Sequence, residues 1–257
     1  MPLDADVMID RRALRRKLTF WRVLAIVAAA VVVIALGLAY GGRGLMGQQG
    51  NHIARISLSG LITVDQQTID LIRRVKNAGA VSAAIISINS PGGTTTGSES
   101  VYREIRDLAK AKPTVAVVVG TAASGAYIAA LAADRIVSPE TGIVGSIGVV
   151  LQYPNFVRAL DMLGIKVESV RSAPLKAQPS GIEPTPPEAT AAITATVLDT
   201  YQWFKDLVQE RRKLSDAELA RVVDGRVFTG RQGIPLKLVD QLGDEREAQA
   251  WLESEKK

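Results

Sequence analysis

Two residues of this 257-residue chain could together perform nucleophilic catalysis. Ser124 lies in the segment Thr-Ala-Ala-Ser-Gly-Ala-Tyr, and Lys176 follows 52 positions later in Ser-Ala-Pro-Leu-Lys-Ala-Gln-Pro. The chain has no cysteine, so a cysteine nucleophile is excluded. Its single histidine, His52, lies close behind an apolar segment and is the only histidine that could act as a base. A serine nucleophile with a lysine base is the remaining pairing.

Each of these two residues also has an ordinary explanation. Ser124 follows a buried-strand pattern and opens a helix, where serine commonly serves as an N-cap. The Gly-x-Ser-x-Gly elbow is absent, because Ala122 and Ala126 occupy the glycine positions. A lysine with the ordinary pKa of about 10.4 is protonated near neutral pH, so a lysine base must be buried away from anions. Lys176 is the only charged residue between positions 172 and 182, which fits a buried base or a plain exposed loop lysine.

Two glycine-containing motifs could complete such a site. The motif Ser-Pro-Gly-Gly at 90–93 follows a buried-strand pattern, and its glycines allow backbone N–H groups to approach a ligand. The N–H groups of Gly93 and Gly125 could then stabilise an oxyanion, although a tight strand-to-helix turn without a ligand explains the motif as well. The phosphate-binding Gly-x-x-x-x-Gly-Lys pattern is absent. In Gly-Ser-Ile-Gly at 145–148, Ser146 could accept a hydrogen bond from a lysine, or the glycines could mark a turn or bulge.

Alternating strand and helix patterns predict an α/β domain with a mainly parallel sheet. Strands are expected at 53–58, 81–88, 114–119, around 136 and at 144–151. Helices are expected over 69–75, 101–108 and 127–133, followed by a proline-rich loop at 178–187, a long helix over 193–207 and a further helix capped at 214–216. The elements after the loop have too little apolar surface for a separate core, so one domain is expected.

The N-terminal region predicts a membrane anchor. Residues 20–40 are apolar apart from Arg22, and as a helix they would be about 30 Å long, which matches a bilayer core. Trp21 and Tyr40 stand at its two ends, where aromatic rings prefer the interface. Five basic residues lie within 11–17, so the positive-inside rule places the N-terminus in the cytoplasm. A cleaved signal peptide is the alternative, with a shorter apolar core and a better cleavage site than this segment offers.

The charge distribution argues against a nucleic-acid partner. The chain carries a net charge of +5, but residues 1–43 hold seven basic and three acidic residues and so account for +4 of it. The basicity therefore belongs to the flanks of the anchor. The expected organisation is a cytoplasmic basic tail at 1–19, a transmembrane anchor at 20–40, a glycine-rich linker at 41–51 and a catalytic domain at 52–257.

Together these motifs resemble the signal peptide peptidase A family, membrane-associated Ser-Lys serine proteases with the ClpP/crotonase fold. The resemblance is carried by four motifs in the family's order and by a C-terminal signature, and it covers roughly residues 53–243. The motifs are Ser-Pro-Gly-Gly at 90–93, Ala-Ser-Gly-Ala-Tyr at 123–127, Gly-Ser-Ile-Gly-Val at 145–149, Lys176, and the segments 224–232 and 238–243.

The resemblance implies a role for each matched residue. Ser124 would be the nucleophile, Lys176 the general base and Ser146 the residue that orients the lysine, while Gly93 and Gly125 would form the oxyanion hole. No cofactor or metal is implied. Ala126 stands where the family usually has a second glycine, Ala177 where it usually has an aspartate, and Gly233 and Lys237 where it usually has alanine and glycine. These departures bear on the shape of the pocket and the choice of substrate.

The expected function is therefore a serine endopeptidase of the bacterial inner membrane, with its catalytic domain on the outer side. Family members degrade remnant signal peptides and assemble into dome-like rings, so peptide substrates, a membrane and further copies of the chain are the expected partners. Two alternatives stay open: a related protease that trims one particular membrane protein, and a catalytically silent, membrane-tethered scaffold. An acyl-CoA enzyme on the same fold would require the domain to lie on the cytoplasmic side.

Overall fold

The computed structural model describes residues 17–35 and 51–255. The chain divides into two compact units, Met1–Asn51 and His52–Lys257. In the first unit the described residues form helix α1, Lys17–Ala35, whose length and apolar composition are sufficient to cross a membrane. At 1.5 Å per residue its 19 residues extend about 28 Å, close to the thickness of a hydrocarbon core.

Helix α1 includes residues 20–35 of the predicted anchor and residues 17–19 of the predicted tail. Three parts of the predicted N-terminal organisation lie outside the described residues: the basic tail at 1–16, the anchor residues 36–40 and the linker residues 41–50.

The second unit is built around a seven-stranded sheet. Its strands are β1 (His52–Ile62), β2 (Val81–Gly93), β3 (Thr114–Ala123), β4 (Arg135–Ser138), β5 (Ile143–Gly145), β6 (Val227–Thr229) and β7 (Gln241–Leu242). Its helices are α2 (Gln66–Asn77), α3 (Thr95–Ala111), α4 (Gly125–Leu131), α5 (Val157–Met162), α6 (Pro187–Arg212), α7 (Asp216–Ala220), α8 (Gly230–Gly233) and α9 (Glu245–Glu255).

The sheet is mainly parallel, as the sequence predicts. Its main path runs β1-β2-β3-β4-β7, and β5 pairs with the far end of β3. Each of these pairs is parallel, while β5 and β6 pair antiparallel. Because parallel strands need crossover connections, helices α2, α3 and α4 follow the first three strands in turn. The carboxyl ends of β2 and β3 consequently lie side by side, with Ser90 opposite Ala122.

Both faces of the central strands are buried, which explains their nearly continuous apolar sequences. Ile86 and Ile88 of β2 pack in the larger core together with α2, α3 and α4. Ile85 points to the other face, where it joins Val117 and the α9 residue Leu252 in a second cluster. Full burial of one such side chain contributes about 1.5–3 kcal/mol, so the two central strands form a rigid base for the loops at their ends.

Local sequence signals fix several helix ends. The Asp65 carboxylate accepts hydrogen bonds from the backbone N–H groups of Gln67 and Thr68 and caps α2. Ser215 and Glu218 form a capping box at the start of α7, where the sequence predicts a capped helix. Each of these caps satisfies N–H groups that a helix start leaves unpaired.

Two details of the predicted strands are wrong. The Ser-Pro-Gly-Gly motif is not a turn after the strand, because β2 continues to Gly93, which lies opposite Ile62 of β1. The strand expected over 144–151 is limited to Ile143–Gly145. Ser146 takes a left-handed backbone conformation with φ 53°, which ends the strand at that point.

Candidate active site

Ser124 occupies a sharp turn between β3 and α4. Its backbone adopts φ 52° and ψ −121°, a conformation that L-residues rarely take. The turn is held on one side by the Ser124 N–H, which donates to the Gly145 carbonyl at 2.8 Å, and on the other by the first turn of α4. The Ser124 hydroxyl makes no capping hydrogen bond although the residue occupies the N-cap position. The structure therefore gives this hydroxyl no role in stabilising the helix.

The last two residues of β2, at 92–93, pack directly against this turn, and only glycine fits there. A Cβ added to Gly92 would lie 2.9 Å from the Gly125 nitrogen and 3.0 Å from the Ser124 Cβ. A Cβ on Gly93 would lie 1.8 Å from the Ile62 carbonyl oxygen, which real structures do not allow. The missing side chains let two backbone segments from different strand ends meet beside the serine.

Gly125 is fixed by a neighbour on a different helix. A Cβ at this position would lie 2.0 Å from the Ser98 hydroxyl oxygen and 3.2 Å from the Gly93 nitrogen. Ser98 itself is fully buried on α3, where its hydroxyl donates to the Thr94 carbonyl at 2.9 Å. The backbone nitrogens of Gly93 and Gly125 therefore lie close together, as two donors to one oxyanion must.

Four of the five predicted site residues line one cavity of about 330 Å³. They are Ser124, Ser146, Gly93 and Gly125. The rest of the wall is apolar or carries hydroxyl groups, with no charged side chain: Thr95, Ser98, Ile128, Gly148, Val149, Val150, Thr200, Trp203, Phe204 and Gly225. A wall of this kind suits an uncharged chain segment with apolar side chains.

Ser146 reaches the cavity through the strand end that carries it. Gly145 and Val227 pair at the end of the antiparallel β5–β6 ladder, and the Ser146 N–H donates to the Arg226 carbonyl at 2.9 Å. The same strand end accepts the hydrogen bond from the Ser124 N–H through the Gly145 carbonyl. The two serines are thus connected through adjoining backbone, and their relative positions are set by the sheet.

Lys176 lies apart from these residues. It sits in the exposed loop between α5 and α6, and it does not line the cavity that contains Ser124. One chain thus brings together the serine, the two glycines and Ser146, but not the lysine. The other residue considered as a base, His52, begins β1 and does not line the cavity either.

Beneath the site, Tyr127 fastens α4 to the C-terminal part of the domain. Its ring is fully buried, and its hydroxyl donates to the Leu238 carbonyl at 2.9 Å. Burial raises the pKa of this phenol, which therefore stays neutral. Because the Tyr127 N–H also donates to the Ser124 carbonyl at 2.9 Å, this residue links the serine turn to the sequence at 238–243.

Sequence reasoning missed the residues that shape the cavity wall. Ser98 could have been noticed, because it precedes Val101, Ile105 and Leu108 at helical spacing and so places a hydroxyl on a buried face. Phe204 falls within the predicted long helix over 193–207, and that pattern does not link it to the site. Trp203 and Thr200 carry no sequence signal that points to the cavity.

Comparisons with known proteins relate this chain to peptidases. The model of peptidase family S49 matches residues 106–257. A protein from Methanocaldococcus jannaschii, named as a candidate protease, is 34% identical over 185 residues, which cover 72% of this chain and 60% of that protein. The chloroplastic serine protease SPPA of Arabidopsis thaliana is 34% identical over 200 residues, which cover 76% of this chain and 29% of that protein. The chain thus spans 60% or less of the length of these two relatives.

The fold is also that of a solved protease structure. A mutant of the 1510-N membrane-bound stomatin-specific protease aligns over 77% of this chain and 83% of its own, with a TM-score of 0.50 and 18% sequence identity. At this level of identity the likeness concerns the fold alone. It confirms the predicted fold class, a ClpP/crotonase-like α/β domain.

Proposed function

Because this chain belongs to peptidase family S49, we propose that it is a serine endopeptidase with Ser124 as its nucleophile and Lys176 as its general base. The observation that carries the proposal is the convergence of Ser124, Gly93, Gly125 and Ser146 on one uncharged cavity. A serine held in a strained turn, free of any capping bond and next to the backbone nitrogens of Gly93 and Gly125, is arranged for attack on a carbonyl group.

The reaction would proceed through an acyl-enzyme. The neutral Lys176 amine takes the proton from the Ser124 hydroxyl as the oxygen attacks the peptide carbonyl carbon. The carbonyl electrons move onto the oxygen, which accepts hydrogen bonds from the Gly93 and Gly125 N–H groups, each contributing about 3 kcal/mol in the transition state. The tetrahedral intermediate collapses, the C–N bond breaks, and the leaving amine takes the proton from lysine. Water, deprotonated by the same amine, then hydrolyses the ester.

Ser146 is the proposed orienting residue. Its hydroxyl lies at the cavity edge and can accept a hydrogen bond from the lysine amine, which leaves the nitrogen lone pair directed at the serine. Its fixed position at the end of β5 makes it a suitable reference point for a long, flexible side chain.

The proposed substrates are apolar peptide segments at a membrane, with signal-peptide remnants as the first candidate. The cavity wall contains Ile128, Val149 and Phe204 and no charge, so an apolar side chain is favoured there. Helix α1 has the length and composition of an anchor, and with the positive-inside bias it would place the catalytic domain on the outer side of a bacterial inner membrane. Trimming of one particular membrane protein would use the same cavity.

We also propose that the enzyme is a homo-oligomer, arranged as a ring. The segment from 150 to 175 exposes many apolar side chains, and its helix α5 has no buried residue. The exposed apolar side chains of this segment are Val150, Leu151, Tyr153, Phe156, Met162, Leu163, Ile165, Val170 and Leu175. An apolar surface of this extent is normally covered by a partner. A second copy is the partner that would cover it and also bring a lysine to a cavity that lacks one.

Two substitutions test the catalytic proposal in the full-length protein reconstituted in lipid vesicles. Ser124→Ala and Lys176→Ala should each abolish cleavage of a signal-peptide-like substrate and covalent labelling by a fluorophosphonate probe. Both variants should keep the oligomer size of the wild type. A Lys176→Ala variant that is labelled as fast as the wild type would rule out the lysine as base.

Mixing the two inactive variants tests the origin of the lysine. If Ser124 and Lys176 of one site come from different copies, an equimolar mixture that exchanges subunits should recover about one quarter of the wild-type rate, because about one quarter of the contacts pair two intact residues. No recovery despite demonstrated exchange would place both residues in one subunit. If the protein is a monomer and its apolar segment at 150–175 contacts the vesicle surface instead, the proposed homo-oligomer is wrong.

The second candidate function is a catalytically silent scaffold, which the exposed position of Lys176 favours. Rings that form in the wild type without peptide cleavage and without labelling of Ser124 would support this alternative. An acyl-CoA enzyme would be supported only if a C-terminal reporter lay on the cytoplasmic side.

A further inference from the structure

The loop that carries Lys176 is closed by a single carboxylate. Glu183 accepts a hydrogen bond from the Ser169 hydroxyl at 2.5 Å through Oε1. Its other oxygen, Oε2, accepts from the Arg171 guanidinium and from the Gln178 side-chain amide, the latter at 3.0 Å. Two of these donors precede Lys176 in the chain and one follows it. The carboxylate therefore ties together both sides of the loop.

Two members of this cluster are partly buried within an otherwise exposed segment. The side chains of Arg171 and Glu183 are only 21% and 15% exposed, whereas residues 172–177 are all exposed. An isolated surface ion pair contributes little to stability. A partly buried carboxylate with three donors is more costly to disturb, because each donor that it releases loses its partner. The arrangement is that of a local clamp.

The backbone next to Lys176 requires such a clamp. Ala177 adopts a left-handed conformation with φ 60°, which disfavours residues other than glycine, asparagine and aspartate. Within the loop, the Lys176 N–H donates to the Ala173 carbonyl and the Gln178 N–H to the Leu175 carbonyl, at 3.1 and 3.2 Å. Two such local turns do not by themselves fix a loop of this length, and strained conformations persist only where the surroundings determine them.

A second contact joins the clamped loop to the segment that follows the cavity wall. The Phe156 N–H donates to the Gly181 carbonyl at 2.7 Å, and a Cβ on Gly181 would lie 2.0 Å from the Pro154 carbonyl oxygen. The segment 154–156 follows closely after Val149 and Val150, which line the cavity. The part of the loop after the lysine is thus joined to this segment through Gly181, two residues before the Glu183 carboxylate.

We propose that Glu183 is the positioning residue of the general base, acting through the loop to hold the Lys176 amine in place. This inference rests on the proposed Ser-Lys mechanism. Glu183 itself does not touch the reacting atoms. It fixes the loop backbone and so the direction in which the Lys176 side chain extends. The same role applies whether the amine acts in the cavity of its own chain or in that of a neighbouring copy.

The substitution Glu183→Gln tests the inference sharply. An amide has one accepting oxygen, so the variant must lose either the bond from Ser169 or both bonds from Arg171 and Gln178. The rate of Ser124 labelling by a fluorophosphonate should fall by about tenfold or more, because the base is no longer held in register. The rising limb of its pH profile should move to higher pH, since a released amine spends more time in water.

Three further variants make the result interpretable. Glu218→Gln is the matched control, because Glu218 accepts from Lys237 and from both the N–H and the hydroxyl of Ser215, yet it does not line the cavity. It should leave the labelling rate and its pH profile unchanged. Glu183→Asp should recover part of the loss, and Ser169→Ala, which removes one donor and keeps the charge, should give a smaller loss in the same direction.

The outcomes separate this inference from the proposed function. If Lys176→Ala abolishes labelling while Glu183→Gln and Ser169→Ala behave like Glu218→Gln, the positioning role is wrong and the catalytic proposal stands. A Lys176→Ala variant that is labelled normally overturns the catalytic proposal, and the positioning role with it. Should Glu183→Gln fail to fold, Ser169→Ala and Glu183→Asp still decide the question through the position of the pH limb.

Discussion

The turn at Ser124 and the loop at Lys176 solve the same problem in different ways. Each segment contains a residue with a positive φ angle. In the turn this residue is Ser124, with φ 52°, and in the loop it is Ala177, with φ 60°, directly after Lys176. The serine turn is held by packed glycines and backbone hydrogen bonds at the ends of buried strands. The lysine loop is exposed and is held by side-chain bonds to Glu183. The chain therefore places the proposed nucleophile at the ends of its core strands and the proposed base on an exposed surface segment.

The largest expected effect comes from filling the space beside the serine. In Gly125→Ala the new methyl group would lie 2.0 Å from the Ser98 hydroxyl oxygen, so the turn or α3 must move. Overpacking of this kind costs about 1–3 kcal/mol, and we expect labelling of Ser124 to fall by at least a hundredfold because the oxyanion donors separate. Chemical denaturation and the rate of covalent labelling measure the two effects.

A second substitution should largely reverse this defect. Removing the Ser98 hydroxyl in Ser98→Ala/Gly125→Ala leaves a tighter than usual but tolerable contact of 3.1 Å between the two Cβ atoms. The double variant should regain most of the lost stability and labelling, while Ser98→Ala alone costs only the hydrogen bond to Thr94, about 1 kcal/mol. Additive losses in the double variant would show that the clash is not the cause.

The contrast between the two regions also shows what the sequence could reveal. The strands at 81–88 and 114–119 and the helices that follow them were predicted correctly, because a buried parallel strand and an amphipathic helix leave different periodicities. The resemblance to the signal peptide peptidase A family, drawn from the motifs at 90–93 and 123–127, is confirmed by the family match. Ser124, Gly93 and Gly125 were found from those two motifs and Ser146 from the motif at 145–149, and all four line one cavity in the structure.

What the sequence could not reveal depends on distant contacts. The extension of β2 through Gly93 follows from pairing with Ile62, about thirty residues away, and no local pattern marks it. The approach of Ser98 to Gly125 likewise joins two helices whose spacing only packing decides. The exposed position of Lys176 was not visible either, because an uncharged neighbourhood fits both a buried and an exposed loop.

Acid should loosen the lysine loop before it affects the serine turn. Hydrogen bonds from Ser169 and Arg171 lower the pKa of Glu183 below its ordinary value of 4.5. A carboxyl group whose pKa is lowered on folding contributes stability above its unfolded pKa and loses that contribution as the pH falls through its folded pKa. As the pH falls below 4.5 and through this lowered pKa, the group becomes protonated and can no longer accept all three bonds.

Hydrogen exchange provides the measurement for this pH effect. After correction for intrinsic rates, protection of residues 169–183 should fall several-fold as the pH drops below about 4.5. Protection of residues 122–128, which are held by the Ser124–Gly145 backbone bond and by packing, should not change over the same range. Glu183→Gln should remove the pH dependence of the loop, whereas equal loosening of both segments would indicate global acid unfolding instead.

The smallest expected effect concerns the strained residue in the loop. Ala177 has φ 60°, where glycine lacks the steric penalty of a Cβ, so Ala177→Gly relieves strain of up to about 1 kcal/mol. Glycine also gains entropy in the unfolded chain, which opposes the gain, and the net change in the free energy of unfolding should stay within about 1 kcal/mol. Urea denaturation measures this change.

If the Glu183 clamp determines the conformation of the loop, Ala177→Gly should also leave the pH profile of Ser124 labelling unchanged, because the loop keeps its bonds to Glu183. A shift of that profile as large as the one expected for Glu183→Gln would mean that the rigidity of the Lys176 backbone, and not the carboxylate, sets the position of the base.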